Sequence, residues 1–203
     1  MKTPVWVNLE GVNGVGKTHL AQEAAGRLGD RCVPLVELPD APPGGLSGQV
    51  IAALHTAGDM FLRTGHPRTE TLLLAALQVH RFESLPPPEP GKVVLEDRGP
   101  HSVAVYQAAV LAETTGVSDE QALTTVWHIL STIASWRPEP TATVVLVDDP
   151  QRCLERFEQR IGRTTEASER ALMARAGRLY HLMAAAHPNR YLVLDRRRSV
   201  KNG

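Results

Sequence analysis

Three observations predict an α/β fold, a doubly wound five-stranded parallel sheet between two layers of helices. Five short β-branched runs, VWVNLE, CVPLVEL, KVVLED, TVVLVDD and YLVLD, recur between longer segments rich in Ala, Leu and Arg. That alternation of strand and helix is the pattern of α/β proteins. Each run is nearly continuous in apolar character, as expected of parallel strands covered on both faces. The chain has 203 residues, of which 42% are hydrophobic, enough for one domain over 1–203 with a real core.

The elements follow in order. VWVNLE is the first expected strand, and residues 17–28 the helix after it. CVPLVEL is the second strand, followed by PDAPPGGLSG, read as a turn-rich loop at a strand's carboxyl end, where open α/β sheets place ligands. A helix over 70–85 stops at LPPPEPGK, because consecutive prolines cannot continue one. KVVLED, helices over 101–115 and 119–135, TVVLVDD, helices over 150–161 and 166–186, and YLVLD complete the alternation.

Lys+Arg and Asp+Glu each number 22, for a formal net charge of zero. This argues against nucleic acid or an anionic membrane as partner and requires any bound anion to be held locally. Cys32 and Cys153 lie far apart, without the spacing of a disulfide framework or zinc site, which suits a reducing, cytoplasmic setting. The opening MKTPVWVNLEG reaches a glycine before any apolar stretch is long enough for a signal peptide. No run approaches the ~20 apolar residues of a membrane span. The eight histidines show no paired ligand spacing, and Trp6, Trp127 and Trp136 are expected in the core or at a subunit interface.

Directly after the first strand stands Gly11-Val12-Asn13-Gly14-Val15-Gly16-Lys17-Thr18, a complete G-x-x-x-x-G-K-[ST] phosphate loop opening a helix. Glycines let backbone N–H groups surround phosphate oxygens, and the helix N-terminus adds positive potential. Lys17 reaches the β- and γ-phosphates, and Thr18 offers its hydroxyl to Mg²⁺. The fold class sharpens to a P-loop NTPase three-layer sandwich. The third strand ends in Asp97-Arg98, and QRCLERFEQRIGR follows the fourth. Its Arg152, Arg156, Arg160 and Arg163, spaced by four, four and three, share one helical face. Within 150–168 they form a candidate lid able to stabilise charge spreading onto transferring phosphoryl oxygens.

The segment Asp97-Arg98-Gly99-Pro100-His101-Ser102-Val103-Ala104-Val105-Tyr106-Gln107 resembles the D-R-x-x-x-S-x-x-A-Y-Q segment of thymidylate kinases, with the alanine one place early. The phosphate loop, the acidic loop with Pro-Gly-Gly after the second strand, the D-R strand and the arginine-rich lid extend the resemblance over nearly the whole chain. It implies an ATP- and Mg²⁺-dependent phosphotransferase with a small nucleoside or nucleotide acceptor, working as a homodimer, with the helices containing Tyr106 and Trp127 as the candidate interface. ATP phosphates lie along Gly11, Asn13, Gly14, Val15, Gly16, Lys17 and Thr18, and the metal ligands are Thr18 and Asp97. Arg98, Arg156, Arg160 and Arg163 clamp charge. Gln78, Arg81, Arg98, Ser102, Tyr106 and Gln107 are the acceptor-side candidates.

Three departures concern the acceptor. Thymidylate kinases usually carry an acidic residue where this chain has Asn13, an arginine where it has Val36, and F-x-x-(D/N)-R on the next helix. There the chain has Ala75, Gln78 and Val79, with Arg81 a turn out of register as the available substitute. The missing grips on an acceptor phosphate tilt the expectation toward a hydroxyl acceptor, with Glu37 of VELP as its base. Glu37 and the D-R-x-P of Asp97 to Pro100 also resemble deoxynucleoside kinases and herpesviral thymidine kinases. Gln78 can then read a pyrimidine edge. The expectation is transfer to a pyrimidine (deoxy)nucleoside or its monophosphate. A specialised nucleoside-like acceptor and a catalytically silent ATP-binding regulatory module stand as alternatives.

Overall fold

The computed structural model describes residues 5–35, 37–38, 44–87 and 89–197. The strands are β1 (Val5–Glu10), β2 (Cys32–Leu35), β3 (Val93–Asp97), β4 (Ala142–Val147) and β5 (Tyr191–Asp195). All pair in parallel, in the order β2-β3-β1-β4-β5. The register sets Leu9 of β1 opposite Asp97 of β3 and Val144 of β4. Thus the two motif-bearing strand ends, Glu10 before the phosphate loop and Asp97-Arg98, lie side by side. The winding reverses about β1, the kind of switch point at which open α/β sheets bind ligands.

Seven helices clothe the sheet among the described residues: α1 (Lys17–Leu28), α2 (Leu46–His55), α3 (Pro67–Glu83), α4 (Pro100–Thr115), α5 (Asp119–Ala134), α6 (Pro150–Ile161) and α7 (Ala167–Ala186). α1 packs against β1, β2 and β3, and its Leu20, Ala21, Ala24 and Ala25 close a core with Leu9, Leu95 and Leu146. The larger core joins α4 to α3, α5 and α7. α4 is buried almost from end to end, so its apolar composition on every side is what its position demands. Pro100 opens α4, and left-handed Gly116 closes it.

Three expectations are corrected here. The PDAPPGGLSG region is not loop throughout: Leu46–His55 forms α2, whose Ile51 and Leu54 are buried at helical spacing, while the residues at 39–43 lie outside the described set. β5 is not covered on both faces, because it is an edge strand paired only with β4 and leaves Leu192, Val193 and Leu194 exposed. Of the three tryptophans, Trp6 is buried, Trp127 packs partly buried against the core, and Trp136 is 71% exposed, which leaves the interface expectation standing for it. Finally, α4, which carries Tyr106, is enclosed by α3, α5 and α7 and offers no free face to a second subunit. No helix among the described residues is long and apolar enough to cross a membrane.

Candidate active site

The phosphate loop closes on its own lysine. Lys17 is buried, and its Nζ donates to the carbonyl oxygens of Gly11 and Val12, both at 2.8 Å. Burial, with Arg98 as second cause, pulls this ammonium down to about 7, while Glu37, Asp97 and Glu10 act the other way. Asn13 donates its backbone N–H to the Tyr106 hydroxyl at 3.1 Å, tying the loop to α4. At Gly14, where φ is 74°, an added Cβ would stand 1.9 Å from the carbonyl oxygen of Cys153. The first turn of α6 therefore rests directly on the loop.

At the end of β3, Asp97 is buried, and its Oδ1 has no hydrogen-bond partner among the described residues. Burial raises its pKa, with Thr18 opposing. This oxygen and the Thr18 hydroxyl at the start of α1 are hard donors of the kind Mg²⁺ takes. No group of three His, Cys, Asp or Glu among the described residues is placed to hold a metal ion. These two side chains fit a cation that shares its coordination with nucleotide phosphates.

Arg98 occupies the left-handed region, with φ 59°. Its Nε lies 2.8 Å from Glu37 Oε1, its Nη2 donates to Asn13 Oδ1, and its guanidinium lies 5.8 Å from the Tyr106 ring centre. Burial works against its charge, but Glu37 and the two tyrosines Tyr106 and Tyr180 keep it firmly on. Burial pushes Glu37 up, yet Arg98, Lys17 and Arg160 together hold its carboxyl below the usual carboxylate range.

The lid arginines divide. Asp149 caps α6 by accepting the N–H of Arg152 at 3.0 Å, and the Arg152 side chain is exposed. Arg156 pairs with Asp148 at 2.7 Å and reaches the Gly14 carbonyl at 3.4 Å, so it pins α6 to the phosphate loop. Arg160 lies 5.4 Å from the ring centre of Phe157 and acts on Glu37 through space. Arg163 turns away, held by Glu169 of α7 at 2.6 and 2.7 Å.

On the acceptor side, Gln78 is buried, with its Oε1 accepting from Arg137 at 3.1 Å. Arg81 donates to the Arg98 carbonyl at 3.2 Å and pairs with Glu96 at 3.3 Å, behind the D-R turn. Ser102 donates to Glu10 at 2.6 Å, and Gln107 accepts from Thr71 at 3.0 Å. The structure thus gathers Asn13, Lys17, Glu37, Asp97, Arg98, Tyr106 and Arg160, and places Gln78, Ser102, Gln107 and Arg163 in surrounding braces.

Several contributors carry no sequence motif. Phe61 stacks on Tyr106 with ring centres 5.8 Å apart and meets Phe157 of α6 at the same separation, forming an aromatic wall between α4 and the lid. Arg137 pairs with Glu96 at 3.0 Å beneath the site. Arg196, just past the end of β5, donates to the Val15 carbonyl at 2.6 Å and lines a pocket of about 200 Å³ with Gly16, His19 and Leu20. Only the basic run itself was a signal for Arg196, and it does not reveal where β5 ends.

A thymidylate kinase family model matches residues 9–202. The chain is 32% identical over 205 residues to the thymidylate kinase of Clavibacter sepedonicus, covering 95% of this chain and 87% of that one. It is 31% identical over 206 residues to that of Bifidobacterium longum strain NCC 2705, covering 97% and 92%. The solved structure of thymidylate kinase from Candida albicans superposes with a TM-score of 0.65 at 17% identity, covering 95% of this chain and 84% of the other, a likeness of fold.

Proposed function

The chain belongs to the thymidylate kinase family, and from that premise we propose that it transfers the γ-phosphoryl group of Mg·ATP to the phosphate of a pyrimidine deoxynucleoside monophosphate, dTMP foremost. The observation that carries the proposal is the Arg98–Glu37 ion pair at 2.8 Å, set beside the phosphate loop that holds Lys17, with Lys17 and Arg160 also favouring the charged form of Glu37. Basic side chains gathered at a phosphate loop suit a reaction whose transition state spreads negative charge over phosphoryl oxygens.

Glu37 favours the phosphate acceptor over a hydroxyl. A carboxylate held low and ion-paired at 2.8 Å is a weak proton acceptor, so Glu37 orients Arg98 better than it deprotonates a hydroxyl. A phosphate acceptor, already anionic, needs no base. On nucleotide binding, the Lys17 ammonium leaves the Gly11 and Val12 carbonyls for the β- and γ-phosphates, and the loop N–H groups hold the remaining oxygens. Arg98 lies between donor and acceptor, steered by Glu37 and Asn13. Thr18 and Asp97 would hold Mg²⁺, which supplies charge neutralisation at the phosphates. Arg160, near the end of α6, completes the charge clamp while Arg156 keeps the helix seated. The catalytic contribution is mainly positioning and electrostatics.

A homodimer and a cytoplasmic setting extend the proposal. Leu72 and Leu73 are exposed on α3 and give a second subunit an apolar face that α4 lacks, and Cys32 and Cys153 are free thiols. Sedimentation of the protein and of Leu72→Glu checks the dimer.

The test of function is ADP release with Mg·ATP against dTMP, other nucleoside monophosphates and the free nucleosides. Stimulation by dTMP is expected. Stimulation by nucleosides alone would restore Glu37 as a base for a hydroxyl acceptor. ATP binding with no stimulation across the panel would favour a specialised acceptor or a silent nucleotide-binding module.

A further inference from the structure

Glu10, the last residue of β1, is wholly buried where a carboxylate is costly to place. Its Oε1 accepts the Gly99 N–H at 2.9 Å, and its Oε2 accepts the hydroxyls of Ser102 at 2.6 Å and Tyr180 at 3.1 Å. Burial pushes its pKa up to about 7, with Glu96 adding to that effect and the Ser102 and Gly99 bonds opposing it. His101 Nδ1 is 3.9 Å away, but burial drops that imidazole to about 3 and leaves it neutral, so the two do not form an ion pair. Three elements, β1, α4 and α7, are therefore joined at one carboxylate that no step of phosphate binding uses.

What this joint fixes is the backbone of Arg98. Among the described residues, Arg98 and Leu62 are the non-glycine positions with positive φ. Such a conformation is unfavourable for a residue with a side chain and persists only where its surroundings impose it. Three hydrogen bonds impose it here. Arg98 N–H donates to the Leu9 carbonyl at 3.2 Å, Arg81 donates to the Arg98 carbonyl at 3.2 Å, and Gly99 N–H donates to Glu10. The last of these ends on the residue that immediately precedes Gly11 of the phosphate loop. An added Cβ on Gly99 would lie 2.1 Å from Asn8 Nδ2, so the turn has no room to relax toward that side.

We propose that Glu10 is a positioning residue for phosphoryl transfer, its carboxylate locking the Arg98-Gly99 turn against the start of the phosphate loop so that the Arg98 guanidinium is presented between donor and acceptor. The inference rests on the phosphotransfer reading above. It acts through Arg98, which gives it a signature that a general packing role lacks.

The test compares Glu10→Met, which removes every acceptor at similar size, with Glu10→Gln, which keeps an acceptor for Gly99 N–H, each in the wild-type and Arg98→Ala backgrounds. In the wild-type background Glu10→Met should lower kcat about tenfold or more with KM for ATP within about twofold, and Glu10→Gln should recover most of the loss. In the Arg98→Ala background Glu10→Met should produce no further loss of the residual kcat. Equal losses in both backgrounds, or a Glu10→Gln variant as impaired as Glu10→Met, would overturn the inference. If Glu10→Met does not fold, the Ser102→Ala, Tyr180→Phe double variant frees the carboxylate and is held to the same pattern. Amide exchange at Gly99 needs no acceptor and separates this inference from the reading of function. Exchange about tenfold faster in Glu10→Met or the double variant than in Glu10→Gln supports the lock even in a chain without turnover, and equal rates refute it.

Discussion

A buried lysine whose ammonium is already capped by two carbonyl oxygens must exchange partners before a phosphate can use it. For Lys17 that exchange is coupled to a proton. Its value of about 7 in the free site lies below its ordinary 10.5, so between those two pH values the free site favours the neutral amine. A polyphosphate beside it restores the charge, and binding takes up a proton in that window. ATP affinity should be independent of pH below about 7 and fall by up to about tenfold per unit above it. Calorimetry in buffers of different ionisation enthalpy checks this, and no proton uptake at pH 8 would contradict it. Residue roles of this kind were partly legible beforehand: Lys17, Thr18, Asp97 and Arg98 announce themselves by spacing after a strand. Glu10, Glu96 and Arg137 do not, because their meaning comes from partners as far as 170 positions away.

At the scale of elements, α6 is less a free flap than a helix hinged on the phosphate loop. Gly14 and Cys153 are in backbone contact, and Arg156 bridges Asp148 and the Gly14 carbonyl. Gly14→Ala combines a positive φ of 74° with a 1.9 Å clash against backbone. It should cost roughly 2 to 3 kcal/mol, lowering the melting temperature by about 5 to 10 °C in scanning calorimetry, and weaken ATP binding by displacing α6. Equal spacing on a helix does not mean equal roles. Arg160→Ala should lower kcat about a hundredfold. Arg163→Ala should leave kcat within about twofold and lower thermal stability by freeing Glu169. Steady-state kinetics on the two variants check the ranking, and equal losses would contradict it. The sequence shows the arginine face but not the α7 carboxylate that withdraws Arg163 from it. Similarly, α2 escaped notice because Gly44, Gly45 and Gly48 surround its start, and the burial of Ile51 and Leu54 depends on α3 lying across them.

For the whole molecule, the order β2-β3-β1-β4-β5 brings the phosphate loop, the D-R turn and Glu37 to one end of the sheet, and α6, which follows β4, rests on the phosphate loop through Cys153 and Arg156. That arrangement was legible from strand–helix alternation, since parallel crossovers with a consistent hand leave few ways to wind five strands. The choice of acceptor was not legible, because it turns on whether Glu37 is paired with Arg98, and that pairing is a tertiary fact. The central claim is direct transfer to an acceptor phosphate. ³¹P NMR of the protein with Mg·ATP and dTMP tests it most directly. The account predicts paired diphosphate resonances of dTDP growing in step with ADP. Inorganic phosphate appearing with ADP while the dTMP resonance stays unchanged would contradict it.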